Sequence, residues 1–199
     1  MRGRVHGRLP GGVRRVSLWR GESVLLRGFQ ASDWEYFQRF EENSEDARSV
    51  YRVVPPRSAE GHRRETEELA AKPVDEEEFA LAVESLSGKE TVGAISTFGV
   101  DRRAGHFRYG VAIDRAHRHR GYATEAVGIV LDYMFLERRF HKCVAEVYAF
   151  NRTSLAFHGR LGFVREGLLR EHEFFRGARQ DVVVLGLLAA EHRHGGGPG

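Results

Sequence analysis

Arg118-His119-Arg120-Gly121-Tyr122-Ala123-Thr124 is the stretch of this 199-residue chain best equipped to hold an anion. Gly121 lets the backbone come close to a ligand, and a helix start just after it supplies aligned N–H groups and partial positive charge. Arg118 and Arg120 add full charges, so the combination suits a pyrophosphate. The spacing is neither G-x-G-x-x-G nor that of a Walker loop. By itself, a glycine before a helix is also simply a turn. Glu84 is the second feature, a carboxylate in a run that reads as a central strand, where it is either a base or part of a solvated sheet face. Glu41, Glu42, Glu45 and Asp46 form an acidic stretch that would attract a cationic amine, although such runs are commonly solvated surface. Cys143, the single cysteine, lies in an apolar run and reads as a small core residue rather than a nucleophile. The ten histidines have metal-ligand spacing only in the two ends of the chain, so no metal is expected.

These groups need elements to position them. Ser23 to Phe29 reads as a first strand, and Ser32 with Glu35 three residues on predicts a capping box opening a helix to about Asn43. A second helix is expected from about Ser58 to Ala71, then strands over Phe79–Ser85, Thr91–Val100 and His106–Ile113. Ala123, Ala126, Val127, Val130, Leu131, Met134 and Phe135 make one apolar stripe at helical spacing, the strongest helix signal in the chain. A β-rich run, Lys142–Phe150, a short helix from about Thr153 to Leu161 stopped by Gly162, and two strands around Arg176-Gly177 complete the order. The expected architecture is an α/β (mixed α+β) domain, a mixed sheet covered by helices.

The chain is 41% hydrophobic and 30% charged, which suits a globular domain and excludes a collagenous or disordered one. No apolar run reaches the roughly 20 residues of a membrane span, and no apolar signal-peptide core opens the chain, so a cytoplasmic location and no membrane partner are expected. The formal charge of +3 is unevenly placed: Arg2, Arg4, Arg8, Arg14, Arg15 and Arg20 precede the first acid, leaving a mildly acidic body. Residues 1–21 are therefore expected to be a basic arm, 22–190 one domain, and 191–199 a His/Gly/Pro tail. Nucleic-acid binding by the arm is a minor alternative.

Arg118, Gly121 and Ala123 match the Gln/Arg-x-x-Gly-x-Gly/Ala loop of the GCN5-related N-acetyltransferase (GNAT) superfamily, which this chain resembles. Asn151-Arg152-Thr153-Ser154 followed by Leu161-Gly162-Phe163 is similar to its Asn-x-x-Ser and Leu-Gly-Phe segment. Phe174-Phe175-Arg176-Gly177 with Asp181 resembles the closing hairpin of its ribosomal-protein and spermidine acetyltransferases. The resemblance spans roughly Ser23 to Ala190. It implies a GNAT fold whose mostly antiparallel sheet splays between the strand ending at Ile113 and its neighbour, with acetyl-CoA as co-substrate in the gap. Val111, Ala112 and Ile113 would bond the pantetheine arm. Arg118, His119, Arg120, Gly121, Tyr122, Ala123 and Thr124 would hold the pyrophosphate. Asn151 and Ser154 would flank the cofactor, although Asn151 serves equally well as a helix cap.

The implied activity is acetyl transfer to a primary amine by direct attack in a ternary complex. The alternatives are a longer acyl group or a non-catalytic CoA-binding sensor. The acceptor could be a protein N-terminus, a polyamine or a small amine, and a homodimer is the expected oligomer if there is one. The family places a tyrosine, as acid, four residues before the glycine of Leu-Gly-Phe; here that residue is His158. The acid is then His158, or Ser154, or neither. For the base, Glu173 matches a glutamate of the ribosomal-protein enzymes, and strand alternation puts Glu171 on its face; Glu84 is the other candidate.

Overall fold

A computed structural model of the chain describes residues 17–49 and 53–192. Alternating apolar residues give β1 (Val24–Arg27), β2 (Ala80–Ser85), β3 (Thr91–Asp101), β4 (His106–Ile113), β5 (Lys142–Tyr148), β6 (Val164–Phe175) and β7 (Ala178–Leu188). They form one seven-stranded sheet in the order β1-β2-β3-β4-β5-β7-β6. Every pairing is antiparallel except β4 with β5.

The helices are α1 (Trp34–Glu42), α2 (Ser44–Ser49), α3 (Ala59–Ala71), α4 (Tyr122–Asp132) and α5 (Arg152–Arg160). The stripe that predicts α4 buries Ala126, Val127, Val130 and Leu131, and a final wide turn, Tyr133–Glu137, carries Met134 and Phe135 into the same core. Phe135 meets Phe107 of β4 at 5.7 Å, which places α4 on the sheet face that Phe107 presents. No helix among the described residues is long and apolar enough to cross a membrane.

Four expectations change. The turn into α1 is closed by Asp33, whose Oδ2 accepts from Gln30 N at 2.8 Å, while Ser32 is exposed. Asp33 prevails because its other oxygen also receives Arg27 and Thr91. Glu45 and Asp46 of the acidic stretch lie in a helix, α2, that the expected order of elements does not contain. Trp19, expected in the basic arm, belongs to the packed body: it packs on Tyr133 at 4.8 Å and on Phe79 at 5.9 Å, and Leu26 N donates to its carbonyl. Residues 1–16, with five of the six arginines, lie outside the described residues. At the other end His192, expected in the tail, bonds Asp132 at 2.8 Å, and residues 193–199 also lie outside the described residues.

Candidate active site

The parallel β4–β5 pairing is short. Only His106, Phe107 and Arg108 face Lys142, Cys143 and Val144; from Tyr109 onward the two strands have no ladder between them, although β4 continues to Ile113 and β5 to Tyr148. Backbone polar groups on the facing edges of both strands are therefore open to a ligand that lies in the gap. Val111, Ala112 and Ile113 sit on that stretch of β4 beyond the β5 pairing. Tyr109, the first residue beyond the pairing, is a buried phenol whose hydroxyl has no hydrogen-bond partner.

The loop from Arg118 to Thr124 closes one end of the gap. His119 (φ 64°) and Gly121 (φ 83°) are both left-handed, and Gly121 stands at the N-terminus of α4 without a side-chain cap on that helix. No atom lies within 4 Å of where a Gly121 Cβ would stand, so the glycine serves backbone conformation rather than close packing. Two anchors hold this helix start. The buried Tyr122 hydroxyl bonds Ser85 at 3.2 Å, and the Glu125 carboxylate accepts from Ser23 N at 2.9 Å and Val24 N at 3.1 Å. Arg120, exposed, donates to the Ala116 carbonyl at 3.3 Å and also lies beside the Tyr122 hydroxyl. Arg118 is committed elsewhere: its Nε donates to Ile113 O at 3.0 Å, and its guanidinium pairs with buried Asp46 of α2 at 2.6 Å. In this structure it ties α2 to the end of β4.

The other wall of the gap is α5. Asn151 caps this helix, its Oδ1 accepting from Ser154 N at 3.1 Å, so the capping alternative describes its side chain. The Ser154 hydroxyl is half-buried in the first turn, 3.4 Å from His158 Nδ1. His158 lies inside the protein, its ring against Tyr109, Phe157 and Phe163. Burial, partly offset by the hydrogen bond to the Ser154 carbonyl at 2.8 Å, holds its pKa below the ordinary histidine value. A carbonyl only accepts, so Nδ1 carries the proton and the neutral ring has a bare lone pair at Nε2. A ring in that state has no spare proton for a leaving group.

The sign of the resulting pH effect follows. Protonation is disfavoured in the folded state, so the unfolded chain binds the extra proton first. The stabilising contribution is complete above about pH 6.5 and is lost as pH falls through the lower folded-state pKa. We expect the midpoint of thermal unfolding to fall between pH 7 and 5, and the fall to be smaller in His158→Gln, measured by scanning calorimetry. An equal fall in both proteins assigns the pH dependence to other groups.

On the opposite face of the sheet stand the second set of candidates. Glu173 and Phe175 share one face of β6, with exposed Phe174 on the other. Burial and, after it, the Glu173 charge push the Tyr148 phenol up. Tyr148 stacks on Phe150 at 5.0 Å and meets Phe175 at 5.2 Å. Arg176, at the hairpin tip, pairs with Glu45 of α2 and thereby brings the hairpin over to α2. This pairing, Tyr148 and the arginines on Asp46 belong to contacts between distant segments, and no local signal in the sequence marks them.

Two base expectations change here. A register irregularity between Leu169 and Glu173 puts Glu171 in a left-handed conformation, exposed, its N–H on Asp181 Oδ1 at 2.8 Å, so alternation does not carry it to the Glu173 face. Glu84 lies on β2, one strand from the sheet edge, and its carboxylate bonds Arg27 Nε at 2.5 Å. The same guanidinium holds buried Asp33 at 2.9 Å, an internal network that explains a charge on this strand.

Residues 23–164 match the family described as acetyltransferase (GNAT) domain. Among curated relatives, the SPbeta prophage-derived uncharacterized N-acetyltransferase YokL of Bacillus subtilis is 38% identical over 176 residues, 88% of this chain and 96% of that protein. The spermidine N(1)-acetyltransferase of Vibrio cholerae is 26% identical over 85% of this chain and 95% of its own. Among solved structures, spermidine N-acetyltransferase from Vibrio cholerae in complex with CoA and spermine superposes with a TM-score of 0.73 at 22% identity, covering 86% of this chain and 98% of that one.

Proposed function

Because this chain belongs to the GNAT family and is an N-acetyltransferase, we propose that it moves the acetyl group of acetyl-CoA to a primary amine by direct attack in a ternary complex. The observation that carries the reading is the gap between β4 and β5, open from Tyr109 on, with the uncapped start of α4 at one end. A thioester with a pantetheine arm and a pyrophosphate fits an extended channel of free backbone groups that ends in a cluster of N–H donors. The amine enters from the Glu173 face, so the two substrates occupy opposite sides of one opening.

In the transfer, the bound ammonium gives one proton to Glu173, the free amine nitrogen bonds the carbonyl carbon, the carbon–sulfur bond breaks with its electron pair on sulfur, and the second nitrogen proton passes to the departing thiolate. Ser154, with a hydroxyl in the first turn of α5, donates a hydrogen bond to the departing thiolate. His158 packs and orients that turn. Ser154→Ala is expected to lower kcat about tenfold with KM for acetyl-CoA little changed, the scale of one hydrogen bond to a charged group. An unchanged kcat excludes the hydroxyl from the step. The reading as a whole is tested by thiol release and mass detection with acetyl-CoA and longer acyl-CoAs across an amine panel. Absence of acylated amine in every case overturns it.

A further inference from the structure

We infer that the acceptor is a small arylalkyl monoamine, one ammonium on an aromatic body, rather than a polyamine; this rests on the acetyl-transfer reading above. The first ground is charge. In the acidic stretch expected to attract a polycation, Glu41, Glu45 and Asp46 are already paired with arginines within the protein. Glu41 pairs with Arg57 at 3.6 Å and His62 at 3.9 Å, Glu45 with Arg48 at 2.8 Å and with Arg176, and Asp46 with Arg118 at 2.6 Å and Arg115 at 3.3 Å. Glu42 receives Gln38, and Asp114 faces Arg39 at 3.9 Å. A chain of several ammonium groups laid here would meet Arg48, Arg115, Arg118 and Arg176, each already on a carboxylate. Glu173 is different. Half-buried, it has no ion pair among the described residues. One uncompensated carboxylate matches one ammonium.

The second ground is the surface beside that carboxylate. Tyr148, Phe150 and Phe175 form an aromatic trio with ring centroids 4.8 to 5.2 Å apart. Phe175 lies on the Glu173 face of β6, and Phe150 leaves 47% of its surface in water at the turn before α5. A phenyl group placed there removes apolar area from water, at roughly 25 cal/mol per Å², and the ring faces also favour a nearby ammonium. A polyamine gains little from such a wall.

The test uses the full chain with acetyl-CoA and four acceptors: 2-phenylethylamine, propylamine, spermidine and a short peptide with a free α-amine. The expected result is a kcat/KM for 2-phenylethylamine at least tenfold above each of the others. Phe150→Ala should cut the 2-phenylethylamine to propylamine ratio about tenfold, chiefly through KM, and Phe175→Leu should cut it in the same direction while keeping the hairpin apolar. Equal or better turnover of spermidine or the peptide overturns this inference and leaves acetyl transfer standing. Variants that slow both monoamines equally overturn it as well. No turnover with any amine overturns both readings.

Discussion

Glu173→Gln is expected to lower kcat/KM about 10²-fold at pH 7, the lower end of what general-base loss costs. An alkylamine is protonated at neutral pH and cannot attack a thioester until that proton leaves. Glutamine keeps the shape and the hydrogen-bonding reach of the side chain but neither its charge nor its basicity, so the variant isolates proton removal. The deficit should shrink as pH rises and free amine becomes abundant, measured from pH 7 to 9.5 with acetyl-CoA saturating. A deficit flat over that range assigns Glu173 to holding the acceptor. A second readout is independent of turnover. The Glu173 charge helps push the Tyr148 phenol up, so Tyr148 should titrate at lower pH in the variant. If activity is unchanged, proton removal passes to water, because Glu84 is bound to Arg27 in the network that holds Asp33.

Gly121→Val is expected to weaken acetyl-CoA binding by about 10- to 100-fold, which corresponds to roughly 1.4 to 2.8 kcal/mol. At φ 83° a β-branched residue is strained by about 1 to 2 kcal/mol. Space for the added atoms is open, with nothing within 4 Å of the Cβ position, so the fold stands. The strain then takes one of two outlets. The loop keeps its shape and the unfolding midpoint drops by a few degrees, or the backbone relaxes to negative φ and turns the N–H groups at the start of α4 away from the anion. Titration calorimetry with acetyl-CoA, read beside a thermal melt, separates them. Unchanged affinity together with an unchanged midpoint removes the Gly121 loop as the pyrophosphate site.

Much of the frame is legible locally. The stripe from Ala123 to Phe135 specifies α4 because one turn of helix brings every third or fourth side chain to one face, and that information lies within a dozen residues. The glycine ahead of it, the Ser58 cap of α3 and the Asn151 cap of α5 are likewise local, since a cap bonds N–H groups two or three residues away. Where two local caps compete the sequence is ambiguous. Ser32 with Glu35 has the capping pattern, but Asp33 takes the position because Arg27 and Thr91, distant in the chain, converge on it. The β6 irregularity at Glu171 is of the same kind: strict alternation is broken where an Asp181 side chain of the neighbouring strand takes the backbone N–H.

What the sequence by itself determined is therefore most of the elements, the glycine-bearing turn into α4 and the family to which the chain belongs, all carried by residue types at short, fixed spacing. Only the tertiary structure decided which charges are free. Glu84, Glu41, Glu45 and Asp46 read as available carboxylates until Arg27, Arg57, Arg115, Arg118 and Arg176 are seen on them, and His158 reads as a candidate acid until Tyr109 and Phe163 enclose it. The Glu125 carboxylate that fixes the start of α4 takes its N–H donors from residues as far as 103 positions away. Periodicity and caps act through neighbours along the chain. Charge compensation and desolvation act through neighbours in space, and folding brings those together only once the sheet has set which distant segments meet.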